Sequence, residues 1–272
     1  MTSNTIAILT DYGLKDPYVG MVKAVINRVN PQAVIIDITH EVPKYRVDVG
    51  AFILKTSYKY FRKGTIFLAV VDPEVGTTRK GVVIRTKNYV FVGPNNGLLT
   101  PAALDDTVEG VYEIRMDSVR LWGPSETFHG RDIFAPVAAL ISIKTPIESL
   151  CNPLPPNELV VIDVPPRKPE FKDGQVITKV FYIDDFGNLI LDQRLEDILE
   201  VLKAGLGDDL IIKSKGREYR ARITRTFAEV CEGCIAIYRN SLGLAEVGVF
   251  KGNASKALGI YEGDVIRIGR VL

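Results

Sequence analysis

The sequence predicts an α/β N-terminal domain with a mainly parallel central sheet, followed by a small antiparallel β-barrel-like C-terminal domain. Three observations predict this. Up to about residue 150, short apolar runs alternate with stretches of helical spacing, as in strands joined by right-handed crossover helices. Residues 152–173 then carry six prolines, at 153, 155, 156, 165, 166 and 169, a composition common in connections between packed units. After residue 174 the chain turns to short runs separated by turn signals, with few helical stretches. The expected domains are 1–170, which includes the proline-rich linker from about 152, and 171–272.

Ile6–Leu9 reads as a short buried strand that ends at Asp11. Val22, Val25, Ile26 and Val29 then fall on one face of a helix spanning 19–29, which Pro31 stops. Ala33–Ile36 is the second strand, and Val47, Ala51, Leu54, Tyr58 and Phe61 repeat at helical intervals. A third strand, Thr65–Val71, is bounded by Gly64 and Pro73. Gly81–Ile84 and Tyr89–Val92 read as a hairpin turning near Lys87 and Asn88, and Ile133–Ile143 as an alanine-rich helix. In the second half, strands are expected at Val176–Ile183, Leu189–Leu191, Asp209–Ile212, Tyr219–Ile223, Ile235–Tyr238, Ala245–Phe250 and Val265–Ile268.

Composition narrows the function classes. Lys and Arg number 34 against 33 Asp and Glu, so the net charge of +1 gives no reason to expect a polyanionic partner. No basic stripe is interleaved with aromatics, which argues against nucleic acid. The apolar runs are far too short to span a bilayer, and the N-terminus lacks the basic and apolar regions of a signal peptide. A cytoplasmic protein without a membrane partner is expected. Cys231 and Cys234 form a Cys-x-x-Cys pair that precedes a strand-like run, so a thioredoxin-type motif lacks its usual context. A zinc site would need Cys151 with His40 or His129 to converge from distant loops. Two ordinary thiols, or a local disulfide, are the readings that remain, and no metal site is expected.

Two segments carry the chemistry. Asp72 to Arg79 follows the third strand, so Asp72 stands where a strand gives way to a loop, the place where open α/β sheets put their sites. Phe128 to Asp132 supplies His129, one of only two histidines. A carboxylate, a guanidinium and an imidazole on glycine-bearing turns form a set able to hold and polarise a water. Asp11, His40 and Asp72 follow the first three strands and are expected to line one crevice. Each residue also has a plain structural reading. Asp11 and Asp72 are good capping or turn residues, Arg79 a surface charge, and His129 a satisfied loop histidine.

The resemblance rests on a series of motifs. Asp72 to Arg79 is accompanied by Thr10-Asp11-Tyr12-Gly13 with Asp16, by Ile36 to His40, by Gly93 to Leu99 and by Phe128 to Asp132. Asp184-Asp185-Phe186-Gly187-Asn188, Asn240-Ser241 and Gly252 to Ser255 complete the order. From about residue 5 to the C-terminus the chain resembles the S-adenosyl-L-methionine hydroxide adenosyltransferases, relatives of the S-adenosylmethionine-dependent fluorinases and chlorinases. The resemblance implies hydrolysis of S-adenosyl-L-methionine to adenosine and L-methionine by in-line attack of water or hydroxide on the 5′ carbon. It implies no cofactor, since S-adenosylmethionine is the substrate.

Residue by residue, the resemblance makes Asp72, Arg79 and His129 the catalytic triad and gives Asp11 the ribose hydroxyls. Tyr45 matches an aromatic position that packs on substrate, with core packing as the alternative. Phe128 and Gly130 flank His129, and the glycine either lets backbone amides approach the reacting centre or simply makes a turn. Asp184, Phe186 and Asn188 match positions around the methionine end and the adenine, although the same run makes a good turn between strands. Ser241 matches a carboxylate contact, and Asn253 with Ala254 an adenine-edge contact. Leu242 stands where the halogenating relatives carry an arginine. The resemblance further implies a homotrimer with sites at subunit interfaces. The alternatives are a halogenase of the same geometry, a non-catalytic S-adenosylmethionine sensor and, from the strand-end aspartates alone, a metal-dependent phosphohydrolase that no metal motif supports.

Overall fold

A computed structural model describes residues 4–115, 119 and 125–271. The first three residues of the N-terminal segment discussed above lie outside that range. The chain divides into two compact units, residues 1–164 and 165–272.

The first unit is built on a seven-stranded sheet of order β2-β1-β3-β5-β4-β6-β7. Its strands are β1 (Thr5–Thr10), β2 (Val34–Thr39), β3 (Ile66–Val70), β4 (Gly81–Thr86), β5 (Val90–Pro94), β6 (Val108–Ile114) and β7 (Cys151–Pro153). β1 pairs in parallel with β2 and β3, and β3 in parallel with β5, while the β4 pairings are antiparallel. The expected hairpin forms, but its second arm inserts beside β3 and extends the parallel core. β2 runs two to three residues further than its apolar letters, through Asp37 to Thr39. It is the edge strand, and its side chains are largely exposed, so burial does not dictate its sequence.

Helices α1 (Tyr18–Val29) and α2 (Val47–Ser57) make the first two crossovers. α1 buries Val19, Val22, Val25 and Ile26, and α2 buries Ala51, Phe52 and Leu54, with the following 3₁₀ turn burying Tyr58. Ile6, Ile8, Ile66, Leu68 and Phe134 are fully buried in the sheet-and-helix core, each worth about 1.5–3 kcal/mol relative to exposure. Two features were not legible in the sequence. A short helix, α3 (Thr100–Asp105), follows β5, and the helix α4 (Ala135–Ser142) begins with a π-type turn over Gly130–Phe134.

The second unit is a closed barrel. Its strands run β10-β14-β13-β12-β11-β15-β9, and β9 pairs back onto β10 to close the ring, with β8 (Glu170–Lys172) added outside on β9. These are β9 (Gln175–Ile183), β10 (Leu189–Leu191), β11 (Asp209–Ser214), β12 (Arg217–Ile223), β13 (Ile235–Arg239), β14 (Ala245–Val249) and β15 (Val265–Arg270). Closure removes free edges and explains why strands of three to nine residues suffice. The pairing of β12 with β13 is parallel, the exception to an otherwise antiparallel ring. Inward residues such as Leu189, Leu210, Ile212, Ile237 and Ile266 fill its interior. The amphipathic helix α5 (Leu195–Leu202) packs Leu195, Ile198 and Leu202 against it. Cys231 and Cys234 are joined in a disulfide just ahead of β13. Among the described residues no helix is long and apolar enough to cross a membrane.

Candidate active site

The parallel strands β1 and β3 are neighbours in register, Thr10 opposite Val70, so the loops that leave their C-terminal ends emerge side by side. Asp11 and Asp72 stand on those two loops. The π-type turn ahead of α4 brings His129 and Gly130 to the same edge. The result is a cavity of about 330 Å³ lined by Asp11, Tyr45, Asp72, Phe128, His129 and Gly130. Six of the residues expected from the sequence therefore share one wall.

Arg79 joins them from behind. Its Nη2 donates to Asp72 Oδ2 at 2.6 Å and lies 3.1 Å from His129 Nδ1, so one guanidinium nitrogen ties carboxylate and imidazole together. Because the guanidinium can only donate, His129 Nδ1 acts as the acceptor there. The Asp72 and Arg79 side chains are 6% and 3% exposed, so this is a buried ion pair. Asp72 Oδ1 and Arg79 Nε are buried without a hydrogen-bond partner among the described residues. Burial pushes the Asp72 carboxyl above the usual carboxylate range, against the opposing pull of the Arg79 charge. Burial likewise lowers Arg79 from its ordinary value, which lies so far above neutrality that the guanidinium remains the charged member. The Arg79 guanidinium also lies over the Phe134 ring, 5.4 Å from its centroid.

Asp11 is held by backbone. Its Oδ2 accepts from the Tyr45 N–H at 3.0 Å, and its carbonyl accepts from Lys44 Nζ. Tyr45 takes a left-handed φ of 65°, unusual for an aromatic residue, and the residue is 71% exposed. Core packing is thus not what places Tyr45. Its main chain fixes the carboxylate and its ring borders the cavity. His40 differs from expectation. It does not line the cavity but is buried beneath it, with Nδ1 2.8 Å from Thr10 Oγ1 and Nε2 3.1 Å from the Asp37 carboxylate.

Gly130 is not a turn glycine by conformation, and it lines the cavity without a side chain. It lacks a positive φ, and a Cβ there would come 2.1 Å from the Tyr12 hydroxyl oxygen. Tyr12, Lys44 and Thr127 are lining residues that the sequence reading did not single out for a role. Tyr12 stands inside the quoted Thr10–Gly13 motif and Lys44 beside Tyr45, so adjacency was the available signal.

The remaining expected residues lie in the second unit. Asp184, Phe186 and Asn188 form the turn between β9 and β10. Asp184 Oδ1 accepts from the Asn188 N–H at 2.8 Å and Oδ2 from Asn188 Nδ2 at 3.1 Å, so the turn reading holds and the carboxylate is oriented. Phe186 is 79% exposed. Asn253 caps helix α6 (Ala254–Leu258) by accepting from Lys256 N–H at 2.8 Å. Its side chain also packs against Gly187, where a Cβ would come within 2.1 Å of Asn253 Nδ2, and Ala254 is buried behind it. Ser241 is exposed on the Asn240–Leu244 turn, where Asn240 Oδ1 accepts from the Leu242 and Leu244 N–H groups.

Comparison with known proteins adds an independent line. The family description "SAM hydroxide adenosyltransferase N-terminal domain" matches residues 6–151, and "SAM hydroxide adenosyltransferase C-terminal domain" matches residues 178–267. A protein of Thermus thermophilus named (R)-S-adenosyl-L-methionine hydrolase is 37% identical over 267 residues, covering 96% of this chain and 97% of that protein. A crystal structure of an uncharacterized conserved protein from Thermotoga maritima has a TM-score of 0.86 at 39% identity, over 97% of this chain and 100% of that one. A fluorinase of Actinopolyspora mzabensis is more distant, 25% identical with 97% of both chains covered.

Proposed function

The chain belongs to the SAM hydroxide adenosyltransferase family, and we infer from that membership, together with the buried Asp72–Arg79–His129 cluster, how it acts on its substrate. It is an enzyme that hydrolyses S-adenosyl-L-methionine to adenosine and L-methionine. The observation that carries this reading is its 37% identity, over nearly the full length of both chains, to a named (R)-S-adenosyl-L-methionine hydrolase.

The chemistry suits the cluster. The sulfonium already carries a good leaving group, because methionine departs as a neutral thioether and takes the electron pair of the C5′–S bond with it. No acid is needed at sulfur. What limits the reaction is the nucleophile, a water that must lie behind C5′ and lose a proton as its oxygen bonds to carbon. Asp72 Oδ1, buried and without another partner among the described residues, is the acceptor we assign. Its upward displacement brings its basicity closer to what a general base requires. Arg79 holds Asp72 and His129 in register and stabilises the developing hydroxide electrostatically. Asp11 suits a vicinal diol, since its carboxylate accepts from both hydroxyls. Tyr45 and Phe128 would flank the nucleoside. In the second unit, Asp184 pairs with the amino-acid ammonium, Ser241 meets the carboxylate, and Phe186, Asn188, Asn253 and Ala254 surround the adenine.

The same reading takes the protein to be cytoplasmic and to work without cofactor or metal. It also takes it to be a homotrimer with sites at subunit interfaces. Light scattering on the purified protein tests the trimer. The function itself is tested by incubating the protein with S-adenosylmethionine in ¹⁸O-labelled water, with and without a chelator. Equimolar adenosine and methionine are expected, with the label in the adenosine 5′ hydroxyl and no effect of chelation. A 5′-halo-5′-deoxyadenosine as main product in chloride or fluoride buffer would identify a halogenase. Tight binding without turnover would identify a sensor.

A further inference from the structure

We propose that Tyr12 Oη, seated over Gly130, is the hydrogen-bond donor that holds the attacking water against the Asp72–Arg79–His129 cluster. The inference rests on the hydrolytic reading above and adds a residue to it.

Tyr12 lines the same cavity as Asp72 and His129. Its ring is set edge-on between two others, 6.2 Å from Tyr18 and 5.7 Å from Phe128. Its main chain is anchored too. The Tyr12 N–H donates to Thr10 Oγ1 at 3.2 Å, and that hydroxyl is 2.8 Å from His40 Nδ1. The adjoining Gly13 N–H donates to the His40 carbonyl at 2.7 Å. A tyrosine fixed at ring and backbone delivers its hydroxyl to one place.

That place is the space a side chain at position 130 would fill. A Cβ on Gly130 would come 2.1 Å from Tyr12 Oη and 3.1 Å from Cζ, and position 130 is next to His129. Glycine is therefore required here by the tyrosine hydroxyl rather than by backbone conformation. Asp11, Asp72 and Arg79 all act electrostatically on the phenol, which puts it within their field. Burial first, and then the Asp11 and Asp72 charges, push its ionisation well above the ordinary tyrosine value. The hydroxyl thus stays protonated and can donate throughout the neutral and mildly alkaline range. No hydrogen-bond partner for Tyr12 Oη is found among the described residues. The hydroxyl of this half-buried, cavity-lining residue is therefore open to a water. A water that accepts from Tyr12 and donates to Asp72 Oδ1 gives the buried carboxylate oxygen the partner it otherwise lacks among the described residues. It also presents its second lone pair to C5′. In the reaction the water gives one proton to Asp72 and its oxygen bonds to C5′, while the phenol keeps its own proton.

The test is kinetic, on Tyr12→Phe, Gly130→Ala and the double variant, with folding checked by circular dichroism. Tyr12→Phe keeps the ring and removes only the donor. It should lower kcat by about 10²-fold, the low end of the loss for one preorganised donor, with KM little changed. Gly130→Ala should also lower kcat, because its Cβ displaces the hydroxyl, but should cost far less in the Tyr12→Phe background. That coupling is not expected of a residue that merely packs. Unchanged kcat in Tyr12→Phe, or a raised KM at unchanged kcat, would overturn the proposal and leave the hydrolytic reading intact. Additive losses would sever Tyr12 from Gly130 and overturn it equally. A wild type without turnover overturns both readings, an outcome distinct from the others because it needs no variant.

Discussion

The loop that leaves β3 and the turn that joins β9 to β10 treat a carboxylate in opposite ways. At Asp72 the fold buries the side chain against a buried guanidinium and leaves Oδ1 without a partner among the described residues. At Asp184 the carboxylate is only half-buried, and both of its oxygens are engaged by Asn188, 2.8 and 3.1 Å away, inside the same turn. The first arrangement suits chemistry, since removing water raises basicity and strengthens local fields. The second suits recognition, because a turn that orders itself keeps its shape before a ligand arrives. The site in the first unit is therefore expected to govern kcat and the turn in the second unit KM.

The largest effect should follow loss of the buried base. Asp72→Ala should lower kcat by about 10²–10⁴-fold, as should His129→Ala, while binding measured by calorimetry survives. Asp72→Ala should also destabilise the fold by about 3–5 kcal/mol, because it leaves the Arg79 guanidinium buried without its counter-charge. Chemical denaturation reads that loss directly. Wild-type turnover in Asp72→Ala would end the assignment of the cluster.

The pH profile should show the next largest effect. Asp72 can accept a proton only when ionised, and burial raises its ionisation above the usual carboxylate value of about 3.9. The acid limb of kcat/KM should therefore lie above that value and fall about tenfold per pH unit below it. For stability the sign is reversed. A carboxyl whose native value is raised holds its proton more tightly when folded, so its contribution is present at low pH and declines as pH rises through the native value. Asp184→Asn should keep the same acid limb, and a limb lost with Asp184 would invert the division of labour.

The smallest effect is expected in the recognition turn. Asp184→Ala removes the acceptor for the Asn188 N–H and Nδ2, and should raise KM by roughly tenfold, the equivalent of about 1.4 kcal/mol, with kcat nearly unchanged. A large fall in kcat with unaltered KM would show that the turn takes part in chemistry.

Local sequence carried much of the architecture. Continuous apolar runs marked β1 and β3, helical spacing marked α1 and α2, and turn chemistry separated the short barrel strands, because these signals arise between residues a few positions apart. The strand-end positions of Asp11 and Asp72 were legible for the same reason. The outer residues of β2 were not, since an exposed edge strand has no burial pattern to display. Nor were α3, α5, α6 or the π-type turn, where packing against the sheet or barrel outweighs weak local preference.

What the sequence determined alone was therefore the two-part α/β and barrel plan and the residue types available at the strand ends. Tertiary structure decided their partnerships. It set Arg79 between Asp72 and His129, sent His40 beneath the loop instead of into the cavity, and put the Tyr12 hydroxyl where Gly130 has no side chain. Apart from the Asp72–Arg79 pair, seven positions apart, these contacts join residues 30 to 118 positions apart, a range over which no local periodicity runs, and they are fixed by the space and charge that neighbouring elements leave to one another.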